Sequence, residues 1–224
     1  MRGSVVFRNR TEAGQELARR LRDMRLPDPV VLALPRGGVP VGYEVAKALG
    51  APLDVILVRK IGAPGHEEYG IGAVVDGSAP KTVIDEATAR MVGATPEYIE
   101  RKVAQELELI ESRREAYRTG PPLALKGRTA ILVDDGIATG NTVMVALQAF
   151  SAAAPARVVL AVPVAPRDTL NRLRSFCDEI VCLAVPEPFH AVGAHYSDFG
   201  QTTDAEVVQL LASARRHMAS EIQG

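Results

Sequence analysis

Short, continuous apolar runs recur along the chain at VVLAL (30–34), LDVILV (53–58), TAILV (129–133), 158–164 and 179–185. Each is four to eight residues long and bounded by proline, glycine or charge, which predicts strands buried on both faces. The stretches between them carry apolar residues at helical spacing. Thr11 is placed to cap a helix reaching about Arg25, with Leu17, Ala18 and Leu21 on one face. Further helices are predicted over 44–49, 141–153, 168–176 and 205–218, the last with Asp204 as its cap. The region 84–117 reads as helix-rich, broken near Gly93 to Pro96 with Thr95 as a second cap. Lys60 to Tyr69 (KIGAPGHEEY) has glycine, proline and charge but no apolar period; it predicts a mobile loop, with a strand leaving it over 70–75. Buried strands alternating with helices imply an α/β fold, a mainly parallel sheet flanked by helices.

Composition narrows the function classes. The chain has 224 residues, and 47% of them are hydrophobic, enough for one substantial core. The formal net charge of −1 gives no bulk electrostatic case for nucleic-acid or membrane partners. MRGSVVFRNR lacks the apolar run of an export signal, so a cytoplasmic location is expected. Cys177 and Cys182 match neither a zinc nor a redox spacing and read as buried thiols.

In parallel sheets ligands bind beyond the carboxyl ends of the strands, so the residues following each apolar run matter most. After TAILV comes DDGIATGNT, 134–142. Gly136, Ala138, Thr139 and Gly140 form a small-residue loop, and a helix opens at Asn141 or Thr142. Free amides at a helix start, together with its dipole, favour a phosphate. Asp134 and Asp135 repel that phosphate, and suit instead the vicinal hydroxyls of a sugar, directly or through magnesium. The bland alternative is a capped strand-to-helix turn. After VVLAL comes PRGGVPVG, where Gly37 and Gly38 permit an unusual backbone that turns amides inward and Arg36 adds a fixed positive fork. After LDVILV come Arg59 and Lys60, for which the bland alternative is a solvated basic pair at a strand end. Phe189, His190, His195, Tyr196 and Phe199 crowd one late segment, as a stacking wall for a flat base or as the core of a small subdomain.

VDDGIATGNT resembles the phosphoribosyl-pyrophosphate (PRPP) signature of the type I phosphoribosyltransferases. The resemblance runs from Phe7 to about Leu211. It extends to a bacterial phosphoribosyltransferase-like group with a YxxFxQ-type segment, matched here by Tyr196, Phe199 and Gln201. It implies the type I phosphoribosyltransferase fold over a single domain, 1–224, with 84–118 as a helical insertion and 185–204 as a hood or base wall. Asp134 and Asp135 would contact the ribose hydroxyls and hold Mg2+, and Gly136, Ala138, Thr139, Gly140, Asn141 and Thr142 would hold the 5-phosphate. Arg36, Gly37 and Gly38 would form the pyrophosphate loop. Lys60, at the start of a flexible catalytic loop, would neutralise the leaving group. Arg36, Lys60, Asp134 and Asp135 are thus the catalytic set. Phe189 and Tyr196 are the acceptor-binding candidates, and a homo-oligomer is expected.

Ala138 departs from the hypoxanthine-guanine enzymes, which usually carry aspartate there, and this counts against a 6-oxopurine acceptor. The expected partners are PRPP and a nucleobase-like molecule, with no nucleic acid or membrane. The competing class is a PRPP or nucleotide sensor without catalysis. No GxGxxG follows the first strand and no GKS or GKT is present, so dinucleotide and P-loop readings fall away.

Overall fold

A computed structural model describes residues 6–77, 80–117 and 120–222. Arg118 and Thr119, at the end of the insertion and the start of the TGPP segment, lie outside the described residues. The chain forms α1 (Arg10–Arg22), β1 (Pro29–Ala33), α2 (Gly38–Leu49), β2 (Leu53–Val55), β3 (Val58–Ala63), β4 (His66–Val75), β5 (Lys81–Ile84), α3 (Glu86–Met91) and α4 (Pro96–Tyr117). After these come β6 (Thr129–Val133), α5 (Asn141–Ala153), β7 (Arg157–Val164), α6 (Arg167–Leu173), β8 (Glu179–Ala184) and α7 (Asp204–Ile222). No described helix is long and apolar enough to cross a membrane.

The apolar runs became a five-stranded parallel sheet in the order β2-β1-β6-β7-β8. Val31 stands beside Leu53 on one side and Ile131 on the other, and Ile131 beside Val159. Alternation explains why the runs are continuous. Val31, Ile131 and Val159 pack on one face under Leu17, Leu21, Val45 and Leu211 of α1, α2 and α7. Val30, Leu32, Leu132 and Leu160 pack on the other under Leu147, Phe150 and Leu173 of α5 and α6. Both faces are covered, so neither needs polar residues. The strand order reverses between β1 and β6, and this is the point where such sheets open a crevice.

Several boundaries moved for local reasons. Asn9 rather than Thr11 caps α1, its side chain accepting the Glu12 amide at 3.0 Å. Helix α2 begins at Gly38, ahead of the predicted Glu44, because the glycines after β1 adopt helical dihedrals. The predicted loop at 60–69 is a hairpin instead. β3 and β4 pair antiparallel, β5 adds a third strand, and a tight turn at Pro64–Gly65 joins the first two. Its polar residues sit on a ribbon exposed toward its tip, so they never showed the apolar alternation of a half-buried strand.

A buried ionic triad fastens this second sheet and α4 to the first. The Arg114 guanidinium donates to Asp54 at 3.0 Å and to Asp76 at 2.6 Å. Asp76 also accepts the Leu57 amide at 2.6 Å, and Asp54 the Val55 amide at 2.8 Å. Burial pushes the Asp76 carboxyl up to about 6, against the pull of Arg114.

Candidate functional site

The carboxyl ends of β1 and β6 are tied together by the Leu34 amide, which donates to Val133 O at 2.9 Å. Here the two glycine-bearing loops meet. Gly37 and Gly38 serve this meeting through their lack of a side chain. A Cβ on Gly37 would lie 2.1 Å from Asp135 Oδ2, and one on Gly38 would lie 2.9 Å from Val133 O. The unusual backbone expected of the glycines lies one step earlier, in a cis peptide between Pro35 and Arg36. Gly37 is right-handed helical, and the Gly38 amide is already donated to Leu34 O at 3.0 Å.

The loop after β6 is shaped from behind. Gly136 lies against Val192 and Val164, where a Cβ would come within 2.5 Å and 2.8 Å of their methyls. The carbonyl of Ala138 accepts from Thr169 Oγ1 at 2.8 Å, and that of Thr139 accepts from the Arg172 guanidinium. Gly140 is left-handed, with φ +76°, and opens α5. The helix leaves its first-turn amides without intrahelical partners, at exposed Asn141 and Thr142. Carbonyls turned back toward α6 and amides at a helix start give this loop the polarity that attracts a phosphate.

The acidic pair is divided. Asp134 lines an open cleft of about 730 Å3 together with Arg36, Arg59, Arg113, Tyr117 and Thr142. Its Oδ1 accepts the Asp135 amide at 2.8 Å. Burial first, and then the neighbouring Asp135 charge, raise its carboxyl above the usual range. Asp135 turns the other way. Its Oδ2 accepts from Arg10 Nε at 2.7 Å, both side chains being 13% exposed. Burial raises the Asp135 carboxyl as well, with Arg10 opposing. Arg10 also donates to Gly200 O at 2.6 Å and lies 3.9 Å above the Phe199 ring. Tyr196 donates its hydroxyl to Asp135 O at 2.5 Å.

The phosphoribosyl transferase domain family matches residues 8–196. The chain belongs to this family. It is similar, at 45% identity over 96% of its length, to a Mycobacterium tuberculosis (strain CDC 1551 / Oshkosh) protein named "Putative phosphoribosyl transferase MT0597". The match covers 48% of that protein, so the chain spans about half the length of the curated relatives it matches. The crystal structure of TT1426 from Thermus thermophilus shares 46% identity at a TM-score of 0.81, over 93% of this chain and 98% of that one. AQ2163 from Aquifex aeolicus, at 14% identity and a TM-score of 0.50 over 84% of this chain and 85% of that one, shares the fold alone.

Within this phosphoribosyl transferase domain, Arg36, Asp134 and Thr142 converge on one cleft, but other expected members stand elsewhere. Side chains alternate across a strand, so Arg59 faces the cleft, where its Nε donates to Glu106 at 2.7 Å. Lys60 bonds to Glu68 across the hairpin instead, at 2.9 Å to its carbonyl and 3.2 Å to its carboxylate. Tyr196 is 5% exposed, its ring packed between Phe7 and Phe199. Phe189 is half-buried against His195, with ring centroids 5.4 Å apart. These rings act here as packing, and Tyr196 as support for the Asp135 backbone.

Sequence reading missed Arg10, Arg113 and Asp204. The nearest signal for the last was TDAE at 203–206. Thr203 and Glu206 form a reciprocal capping box, which corrects Asp204 as the cap. The Asp204 carboxylate instead accepts from Arg113 Nη1 at 2.9–3.0 Å and from the Tyr117 hydroxyl at 2.9 Å.

Proposed function

We propose that the chain is a Mg2+-dependent phosphoribosyltransferase, moving the 5-phosphoribosyl group of PRPP to a nitrogenous base with release of pyrophosphate. One observation carries this reading. A half-buried carboxylate, Asp134, stands between a helix-start phosphate loop and an arginine-bearing glycine turn at the reversal of the sheet. A sugar with one phosphate and a diphosphate at its two ends fits that sequence of charges.

The ends of the molecule define the roles. Amides at 139–142, with the hydroxyls of Thr139 and Thr142, hold the 5-phosphate. Asp134 holds the ribose hydroxyls, and Arg36 and Arg59 receive the charge that grows on the departing diphosphate. Among the described residues no three His, Cys, Asp or Glu side chains gather into a cage for an ion. Mg2+ in phosphate sites is commonly held by one or two carboxylates plus the substrate's own phosphates, and Asp134 fits the protein's share. The ion would supply neutralising charge to the diphosphate oxygens. Asp135, occupied by Arg10, acts mainly to set the backbone from which Asp134 projects. As the anomeric carbon becomes oxocarbenium-like, the Asp134 carboxylate is the negative group placed to steady it.

Calorimetry with PRPP and Mg2+ tests the reading, followed by a pyrophosphate-release screen across purine and pyrimidine bases. Binding that Asp134→Asn abolishes, plus release with at least one base, is the expected result. No binding by the parent protein rejects it. A second reading, a sensor that binds PRPP without turnover, is favoured by one observation. Arg10 covers Phe199 and the chain buries Tyr196, so little aromatic face is left for a base. Binding with no release for any base selects the sensor.

A further inference from the structure

Three side chains from two parts of the fold converge on a single carboxylate that helix capping does not require. Asp204 Oδ1 accepts from Arg113 Nη1 at 3.0 Å and from Tyr117 at 2.9 Å, and lies 3.9 Å from Arg36 Nη1. Arg36 comes from the turn after β1 and Arg113 from α4, and both line the cleft, so one oxygen is hydrogen-bonded by one guanidinium and within ion-pair range of a second. Arg36 and Arg113 remain 39% and 45% exposed, so a solute can reach both. The capping box of α7 is complete without Asp204, and its carboxylate is turned across to the cleft residues.

We propose that Arg36 and Arg113 form an anion clamp for the diphosphate group, and that Asp204 is its resting counter-ion, displaced when the anion binds. This rests on the phosphoribosyltransferase reading for the identity of the ligand, and gives the 84–118 insertion a role in recognition. Guanidinium groups bind phosphate oxygens by charge-assisted, directional hydrogen bonds. A diphosphate offers more terminal oxygens than the single carboxylate it would replace. At rest the carboxylate keeps both arginines aimed and prevents their mutual repulsion from splaying the cleft. It must then be given up, so it competes with the ligand. The Arg113–Asp204 pair is exposed, and such pairs contribute little, so giving it up costs little free energy.

The consequence is a substitution that tightens binding. Asp204→Asn keeps the size of the side chain, an acceptor for Tyr117 and the capping box, but removes the competing charge. Calorimetry with inorganic pyrophosphate and Mg2+ is expected to show a dissociation constant lower by about threefold to fivefold. Arg113→Gln is expected to weaken binding by about tenfold or more. In the Arg113→Gln background, Asp204→Asn is expected to give no further tightening beyond what Arg36 alone accounts for, less than about twofold. Asp204→Ser, which retains a hydroxyl for Tyr117, gives the same sign if the Asn variant melts early.

An Asp204→Asn protein that binds pyrophosphate no tighter than the parent overturns the proposal, as does equal tightening in both backgrounds. PRPP titrations separate the two readings. Pyrophosphate binding that follows this pattern while PRPP is ignored keeps the clamp and removes the transferase. PRPP binding indifferent to Asp204 and Arg113 does the reverse.

Discussion

Arg114 is the residue whose loss should be felt most widely. Its side chain is 6% exposed, and its partners Asp54 and Asp76 are 6% and 4% exposed. Arg114→Met keeps most of the aliphatic volume but leaves two buried carboxylates without their cation. Breaking a buried pair from one side costs about 3–5 kcal/mol. For a chain of this size each kcal/mol moves the melting temperature by about 2–4 °C, so a drop of roughly 6–20 °C at pH 7.5 is expected. The pH dependence supplies a second readout. Burial already holds both acids above their ordinary values, Asp76 at about 6. Without the guanidinium to oppose it, burial raises them further. A group that binds its proton more tightly in the folded state adds stability as pH falls. The gap between parent and variant should therefore narrow from pH 7.5 to 5.5, measured by thermal melts and by urea unfolding. Adding Asp54→Asn and Asp76→Asn to Arg114→Met should recover part of the loss. A variant melting within about 2 °C of the parent at pH 7.5, or a gap constant with pH, would refute the triad as a stability element.

Three further outcomes follow from the geometry. Gly37→Ala puts a methyl against Asp135 Oδ2 and should cost about 1–3 kcal/mol of unfolding free energy, read from urea titration, with PRPP affinity falling as the two loops separate. Arg10→Leu strips Asp135 of its partner and should cost about 1.5–3 kcal/mol; an unchanged melt would mean that the pair contributes nothing. Arg59→Ala should weaken Mg2+-PRPP binding more than Lys60→Ala, because Arg59, although paired with Glu106 at 2.7 Å, lines the cleft and Lys60 does not; calorimetry giving the opposite order would mean that the hairpin rearranges around the ligand.

How much of this was readable in the sequence depended on whether a residue's partner was near it. The parallel strands declared themselves because burial on both faces forces uninterrupted apolar runs, as at 30–34 and 129–133. The small-residue loop at 136–140 and the helix start after it did too, because the two are adjacent in sequence. Of the hairpin at 58–75 the strand over 70–75 was legible and the stretch 60–69 was not, because its exposed end has no apolar alternation. The division between Asp134 and Asp135 could not be read, since Arg10, which decides it, lies 125 positions away. The Arg113–Asp204 contact spans 91 positions. Arg114 left a faint trace. It stands between Ile110 and Tyr117 at core spacing, where a charge demands an acid, and Asp54 interrupts an apolar strand.

Adjacent residues on a helix project about 100° apart. Arg113 and Arg114 are therefore two hands of one dial, one locked in the interior and the other pointing into the cleft. Helix α4 cannot roll about its own axis to re-aim Arg113 without tearing the buried guanidinium from Asp54 and Asp76. Any adjustment to a ligand must come from the outer reach of the Arg113 side chain alone, so that arm works from a fixed shoulder.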